Sequence, residues 1–160
     1  MTSTKNPPVE ITLYLMRHGK SSWEIPGLTD RERSLLGKGI ERSERKAREL
    51  RNSGAWLDAI WTSDAVRAKQ TAEIVRKVFG LATENIVVDP AIYDAEDADE
   101  LRRVVLSIPD DLKSVLLVGH NPVLTELAQL FSAEPIDEMK TAQIVEVKGV
   151  RSGTLPLGNI

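Results

Sequence analysis

The stretch Leu13-Tyr14-Leu15-Met16-Arg17-His18-Gly19 decides the fold of this chain. Residues 11–16 form a short, mostly apolar run of strand-forming residues, which predicts a buried β-strand. Arg17 and His18 directly follow this strand. In open α/β sheets, ligands bind in the crevice outside the carboxyl ends of the strands. We therefore predict that Arg17 and His18 lie in a functional site.

A second stretch repeats this arrangement. Residues 114–118 are another apolar run, and they lead into Gly119-His120-Asn121-Pro122. The chain contains two histidines, and both follow the end of a predicted central strand. A single histidine is more often structural than functional, but two at equivalent strand ends are hard to assign to chance. The pair, His18 and His120, is the strongest functional signal in the sequence.

The composition is that of one soluble globular domain. The 160 residues are 41% apolar and 28% charged, and the net charge of -3 gives no general attraction to nucleic acid or to an anionic membrane. The absence of cysteine excludes disulfides, thiolate metal sites and a cysteine nucleophile. Residues 1–9 do not resemble a signal peptide, and no run is long enough to span a bilayer. We expect a cytoplasmic protein, and nothing in the sequence indicates its oligomeric state.

Strands and helices alternate along the rest of the chain. The predicted strands are 11–16, 57–62, 86–88, 114–118 and 142–147. The predicted helices are 37–53, a helix that Ser63 or Asp64 caps and that ends near 79, 97–107, and 122–131 with Asn121 as N-cap. This order predicts an α/β layered fold with a largely parallel sheet. We expect a single domain, residues 10–150, between loose tails at 1–9 and 151–160.

Several side chains are predicted to meet above the strand ends: Arg17, His18, His120 and Arg67, together with the helix N-terminus at Asn121. Guanidinium groups and a helix N-terminus offer hydrogen-bond donors and positive potential to an oxyanion. Arginine suits phosphate in particular, because its planar fork can bind two oxygens at once. A histidine in such a site can be a nucleophile that accepts a phosphoryl group, or a donor to the phosphate oxygens.

The same residues also allow two other kinds of site. The two histidines with Asp94 or Glu96 could bind zinc, but two arginines in the same pocket would repel a cation, so we expect no metal and no cofactor. Ser63 as a nucleophile lacks the G-x-S-x-G turn, and a role as helix cap explains it.

Three motifs, in this order, resemble the histidine phosphatase superfamily, which includes the cofactor-dependent phosphoglycerate mutases. They are Arg17-His18-Gly19 after a strand, the run from Ser63 to Thr71 that opens a helix, and Gly119-His120-Asn121-Pro122 after a later strand. The opening Arg-His-Gly-Lys-Ser-Ser-Trp and the run Ile92-Tyr93-Asp94-Ala95 are most similar to the SixA branch, the phosphohistidine phosphatases. The resemblance covers about residues 13–147. It implies a three-layer α/β/α fold of the phosphoglycerate mutase type, in a compact version without a large lid insertion.

The resemblance also implies roles for the matching residues. His18 would be the nucleophile, Arg17 and Arg67 would hold the phosphoryl oxygens, and His120 would donate to them. The backbone N–H of Asn121 and the side chain of Ser21 would add phosphate contacts, and no metal would be needed.

The sequence leaves open which residue would act as the general acid that protonates the leaving group. Asp94 matches best the carboxylic acid that ester-cleaving relatives use, with Glu96 as the fallback, but both also fit as carboxylates at a helix start. Glu24 stands where many relatives have asparagine, and Arg33 lacks the proline that often follows it, so neither receives a role.

We therefore expect a phosphatase that works through a covalent phosphohistidine on His18. The favoured substrate is phosphohistidine on a signalling protein. The alternative is a broad phosphomonoesterase for small phosphate esters or nucleotide-like metabolites. A phosphate-binding module without turnover is a third possibility, from a different functional class.

Overall fold

The computed structural model describes residues 9–23 and 25–151. Its strands form one sheet in the order β3-β2-β4-β1-β5. They are β1 (Val9–Arg17), β2 (Ala59–Thr62), β3 (Ile86–Val88), β4 (Ser114–Gly119) and β5 (Ile144–Arg151). The first four run parallel, and β5 pairs antiparallel with β1 at the edge of the sheet. The predicted α/β fold with a mostly parallel sheet is confirmed.

The ends of the sheet differ slightly from the predicted domain bounds. Val9 pairs with Arg151, so β1 begins one residue inside the predicted N-terminal tail and β5 ends one residue inside the predicted C-terminal tail. The remainder of both predicted tails, residues 1–8 and 152–160, lies outside the described residues, and so does Glu24.

Helices cover both faces of the sheet. One face carries α1 (Gly37–Asn52) and α2 (Val66–Phe79), and the other carries α4 (Ala98–Leu106) and α5 (Val123–Leu130). A short helix, α3 (Pro90–Asp94), follows β3. Successive side chains of a strand point to opposite faces, so β4 supplies Leu117 to one core and Leu116 to the other. The predicted three layers are therefore present. Among the described residues, no helix is long and apolar enough to cross a membrane.

Helix α2 packs small side chains against the sheet. Ala68, Ala72 and Val75 are fully buried against the sheet. Their small side chains let the helix backbone approach the strands closely. This brings Arg67, in the first turn of α2, to the carboxyl end of the sheet.

Both predicted helix caps are wrong. The N-cap of α2 is Ala65, and the Ser63 hydroxyl contacts His120 instead. Helix α5 begins after its N-cap, Pro122, one residue later than predicted. The Asn121 side-chain oxygen still accepts a hydrogen bond from the Thr125 N–H at 3.3 Å, while its amide group donates to the Met139 carbonyl. A tertiary partner therefore uses the Ser63 hydroxyl, whereas Asn121 bonds both to the first turn of α5 and to a distant carbonyl.

Two other boundaries differ from the prediction. The segment before α4 contains the separate helix α3, because Asp89 caps a short turn that begins at Pro90. Strand β5 begins at Ile144 and not at Ala142, which has a φ of 63°. The Ala142 N–H donates to the carbonyl oxygens of Arg17 and His18, at 2.9 and 3.2 Å, so the chain turns at this point beside the end of β1.

The long connection between β1 and α1 folds back on itself. Ser21 and Leu35 form an isolated β-bridge, and the Leu36 N–H donates to the carbonyl of Lys20 at 2.9 Å. Helix α1 crosses this connection at Gly39. A Cβ at this position would overlap the Lys20 carbonyl oxygen and lie 2.8 Å from the Lys20 nitrogen. Only glycine lets the helix backbone approach Lys20, which lies two residues after His18, this closely.

We expect Gly39→Ala to lower the free energy of unfolding by about 2–3 kcal/mol, because an added methyl group must displace backbone atoms. Gly37→Ala is the matched control, since its Cβ would meet nothing within 4 Å. It should change the free energy of unfolding by less than about 1 kcal/mol. Urea denaturation followed by circular dichroism measures both. Equal effects of the two substitutions would contradict the packing argument.

Candidate active site

The two histidines lie side by side because β1 and β4 are parallel neighbours in register. Arg17 is paired with Gly119, the last residue of β4, and the His18 N–H donates to the Gly119 carbonyl at 3.2 Å. The next residue on each strand end is therefore a histidine. The ring centroids of His18 and His120 are 5.0 Å apart.

His18 has a defined ring orientation. Its Nδ1 lies 2.7 Å from the carbonyl oxygen of Gly19. A carbonyl only accepts hydrogen bonds, so Nδ1 carries the proton and Nε2 keeps its lone pair. The Nε2 atom lies 3.2 Å from Nε of Arg67, which donates to it.

Burial lowers the pKa of His18 to about 4, and the positive charges of Arg67, Arg17 and Arg33 act in the same direction. The hydrogen bond to Gly19 opposes this shift without cancelling it. The His18 side chain is therefore a neutral imidazole at neutral pH. Its Nε2 is unprotonated and faces cationic groups, which is the state that a nucleophile toward an anionic centre requires.

Three arginines surround His18. Arg67 is only 4% exposed and reaches the pocket from the first turn of α2. Arg17 donates through Nη1 to the Met139 carbonyl at 2.8 Å, while its buried Nε has no partner among the described residues. Arg33 is buried, and its guanidinium lies 3.3 Å from the centroid of the Trp23 ring. Together they make this end of the sheet strongly electropositive.

His120 is held by other contacts. Its Nε2 lies 2.7 Å from the Ser63 hydroxyl, and its Nδ1 lies 3.5 Å from Nη2 of Arg67. The ring of Tyr93 packs edge-on against it, with centroids 5.3 Å apart. Burial lowers the pKa of His120 to about 3, with further lowering from His18 and Arg67. The second imidazole is therefore neutral as well.

A carboxylate that the sequence analysis missed lies in the same pocket. Asp30 forms ion pairs with Arg67 and Arg33, both at 2.9 Å, and accepts a hydrogen bond from the Tyr93 hydroxyl at 2.7 Å. Burial alone would raise the pKa of Asp30, but the hydrogen bonds from Tyr93 and Arg67 hold it well below its usual range. Asp30 is thus ionised and occupies arginine donors that an oxyanion would use. Its position in the long connection, three residues before Arg33, was the available signal.

These residues line a cavity of about 550 Å³ at the carboxyl end of the sheet. It contains four cationic side chains and one carboxylate. The lining residues are Arg17, His18, Lys20, Ser21, Trp23, Asp30, Arg33, Arg67, Tyr93, His120, Asn121 and Thr141. Such a charge balance suits an anionic ligand.

The cavity brings together most of the predicted site residues. Ser21 is there, and its hydroxyl accepts a hydrogen bond from Arg33 Nη1 at 2.7 Å. Asn121 is there too, but its side-chain amide is engaged by Met139 and Thr125. Arg33, which the sequence left without a role, is part of the same wall.

The predicted general acids are not in this cavity. Asp94 ends α3, is largely exposed, and accepts a hydrogen bond from Arg31 at 2.7 Å. Glu96 follows in the loop before α4, and its backbone N–H donates to Glu100. The guanidinium of Arg31 also lies 4.2 Å from the Tyr93 ring centroid and pairs with Asp64. Arg31 therefore supports Tyr93, which lines the cavity, from the outer side of the wall. Within residues 9–23 and 25–151, no cluster of three or more His, Cys, Asp or Glu side chains could hold a metal ion.

Residues 13–96, more than half of the chain, match the histidine phosphatase superfamily, branch 1. The chain belongs to the histidine phosphatase superfamily.

Solved structures of this superfamily share the fold. The SixA protein of Agrobacterium tumefaciens, assigned as a phosphohistidine phosphatase, is 29% identical, with a TM-score of 0.68 over 76% of this chain and 75% of that one. The protein histidine phosphatase SixA in complex with tungstate has the same fold, with a TM-score of 0.76 at 20% identity over 92% of this chain and 97% of that one. The resemblance to the SixA branch is confirmed.

Curated relatives match in sequence over part of their length. An uncharacterized chloroplastic protein of Arabidopsis thaliana is 31% identical over 138 residues, which is 81% of this chain and 62% of that protein. The 2,3-bisphosphoglycerate-dependent phosphoglycerate mutase of Rhizobium meliloti is 30% identical over 90 residues, 55% of this chain and 43% of the mutase. The chain thus spans less than two thirds of either relative.

The lowered pKa values predict that neither histidine titrates in the ordinary range. In ¹H–¹³C NMR spectra, the Hε1 signals of His18 and His120 should stay unchanged from about pH 8 to about pH 5, whereas a free imidazole titrates near 6.5. Both signals should move only below this range, because burial disfavours the protonated ring. Protein unfolded in urea provides the control. A midpoint near 6.5 in the folded protein would contradict the electrostatic description.

The position of Asp30 predicts that it competes with a bound oxyanion. Asp30→Asn should tighten the binding of inorganic phosphate by about five- to tenfold, since it removes a negative charge next to Arg67 and Arg33. Asp94→Asn makes the same change outside the cavity and should leave the affinity unchanged. Isothermal titration calorimetry measures both. Weaker binding to the Asp30 variant would mean that the carboxylate serves mainly to orient the arginines.

Proposed function

We propose that this protein is a phosphatase that transfers a phosphoryl group to Nε2 of His18 and then to water. The observation that carries the proposal is the state of His18. Its proton is held on Nδ1 by the Gly19 carbonyl, so the unprotonated Nε2 lies beside Arg67 in an electropositive cavity. An unprotonated nucleophile next to oxyanion donors is what phosphoryl transfer to nitrogen requires.

The proposed reaction has two steps. In the first, the His18 Nε2–phosphorus bond forms while the bond to the leaving group breaks, and the leaving group takes the electron pair. Arg17 and Arg67 bind the phosphoryl oxygens, and His120 donates to one of them as negative charge is redistributed. In the second step, water attacks phosphorus, the bond to Nε2 breaks, and inorganic phosphate leaves.

The favoured substrate is phosphohistidine on a protein, because the cavity offers no evident acid for an alkoxide leaving group. Asp30 is the only carboxylate among the described lining residues, and it is ionised. A phosphohistidine ring that is protonated on its other nitrogen leaves as neutral imidazole. It needs far less assistance than an alkoxide, since the conjugate acid of imidazole has a pKa of about 6.5. Lys20 and Trp23 are exposed at the edge of the cavity, where a folded protein could reach them. The SixA relative points to the same substrate class.

A small phosphate ester is the second candidate. A cavity of about 550 Å³ is within the usual size for small-molecule sites. The phosphoglycerate mutase relatives also favour a small phosphate compound. In this case Asp94 would have to swing into the cavity from its ion pair with Arg31.

Phosphate release from a phosphohistidine-bearing protein domain and from p-nitrophenyl phosphate tests the proposal. We expect faster release from phosphohistidine, and a loss of at least about a thousandfold in His18→Ala, because the covalent pathway is removed. Rapid-quench trapping should show an acid-labile phosphoryl group on wild-type protein that is absent in His18→Ala.

Three other outcomes of this experiment would favour a different function or contradict the mechanism. Comparable turnover of the ester, slowed by Asp94→Asn, would favour the metabolite phosphatase. Tungstate binding without any turnover would favour the phosphate-binding module. Activity that survives in His18→Ala would overturn the mechanism.

A further inference from the structure

Ser63 has no role in the function proposed so far, yet it contacts one of its central residues. It directly follows β2 and is completely buried. Its hydroxyl lies 2.7 Å from Nε2 of His120, and it accepts a hydrogen bond from the Ala65 N–H at 3.3 Å. Among the described residues, the Ser63 hydroxyl has no other hydrogen-bond partner.

The direction of the Ser63–His120 hydrogen bond follows from these contacts. The hydroxyl proton is buried and needs an acceptor, because an unsatisfied buried donor is costly. The Ala65 N–H is a donor and cannot accept it. Among the residues that the structure describes, His120 Nε2 is the one acceptor within hydrogen-bond distance, so the hydroxyl donates to it and Nε2 carries no proton.

The other ring nitrogen of His120 must then be protonated, since burial keeps the ring neutral. The distance between Nδ1 and Arg67 Nη2 agrees with this. At 3.5 Å it is long for a hydrogen bond, as expected for two N–H groups that face the same space. Both groups lie in the wall of the cavity, where they can donate together to one oxyanion.

We propose that Ser63 is a positioning residue that holds His120 in the Nδ1–H tautomer, so that an N–H group and not a lone pair points to the bound phosphoryl group. Without Ser63, the ring can place its proton on Nε2, and Nδ1 can then accept from Arg67. The site would lose one phosphoryl donor and divert a second. The tautomer of His120 does not depend on the proposed function. Only the statement that its Nδ1–H donates to a phosphoryl group rests on that function.

Nitrogen-15 NMR of the imidazole rings tests this in the full-length protein. The chain has two histidines, so His18→Ala assigns both sets of signals. We expect the wild-type spectrum to show the Nδ1–H tautomer for both rings. In Ser63→Ala, His120 should change to the Nε2–H form or to a mixture, while His18 stays unchanged because Gly19 holds it.

Ser43→Ala is the matched control. Ser43 is also fully buried, but its hydroxyl has no partner among the described residues, so its removal should leave both tautomers unchanged. An Nε2–H form of His120 in the wild type would overturn the proposal, and this needs no variant to fold. Persistence of the Nδ1–H form in Ser63→Ala would overturn it too.

The kinetic consequence is separate from the spectroscopic one. If the proposed function holds, Ser63→Ala should lower kcat by about 10- to 100-fold, by analogy with residues that orient a metal-binding histidine through its second ring nitrogen. Ser43→Ala should keep the wild-type kcat. Failure of the proposed function would appear as absence of turnover in the wild type, with the tautomer result still readable. A normal kcat in Ser63→Ala with a changed tautomer would show that the orientation of His120 does not matter for turnover and would overturn the catalytic part of the proposal.

Discussion

The parallel pairing of β1 with β4 is the constraint on which the rest of the site depends. Because Arg17 lies opposite Gly119, the residues that follow on both strands are histidines, and their rings lie 5.0 Å apart. Side-chain direction in a strand alternates, so a slip of one residue would send one of the two rings toward the wrong face. Hydrophobic residues on both faces of β1 and β4 fix this register, so the core determines the geometry of the polar site.

Burial and charge then set the protonation of the site. Both imidazoles are enclosed beside guanidinium groups, which keeps them neutral. Buried cations need a counter-charge, because uncompensated buried charge is costly. Asp30 supplies it, with Tyr93 as its hydrogen-bond donor. The cavity therefore contains its own anion, and an anionic ligand would have to compete with Asp30 for the arginines.

Hydrogen bonds to the far sides of the two rings distinguish their roles. The Gly19 carbonyl takes the Nδ1 proton of His18, which leaves Nε2 beside Arg67 without a proton. In our proposal, the Ser63 hydroxyl donates to Nε2 of His120, which leaves an N–H on its Nδ1. The two rings then have the same tautomer but present opposite atoms to the ligand, a lone pair from one and a donor from the other.

The sequence by itself determined the order of strands and helices, the mostly parallel sheet, and the meeting of His18, His120, Arg17 and Arg67, because apolar periodicity and strand ends are local features. The resemblance of three motifs added the family. Only the tertiary structure decided the contacts of Asp30, Tyr93 and Ser63, and it left Asp94 outside the cavity. A local pattern shows that a serine can cap a helix or that an aspartate lies in a loop. Which partner such a side chain finds depends on segments that are distant in sequence, as with Ser63 and His120, and these come together only when the layers pack.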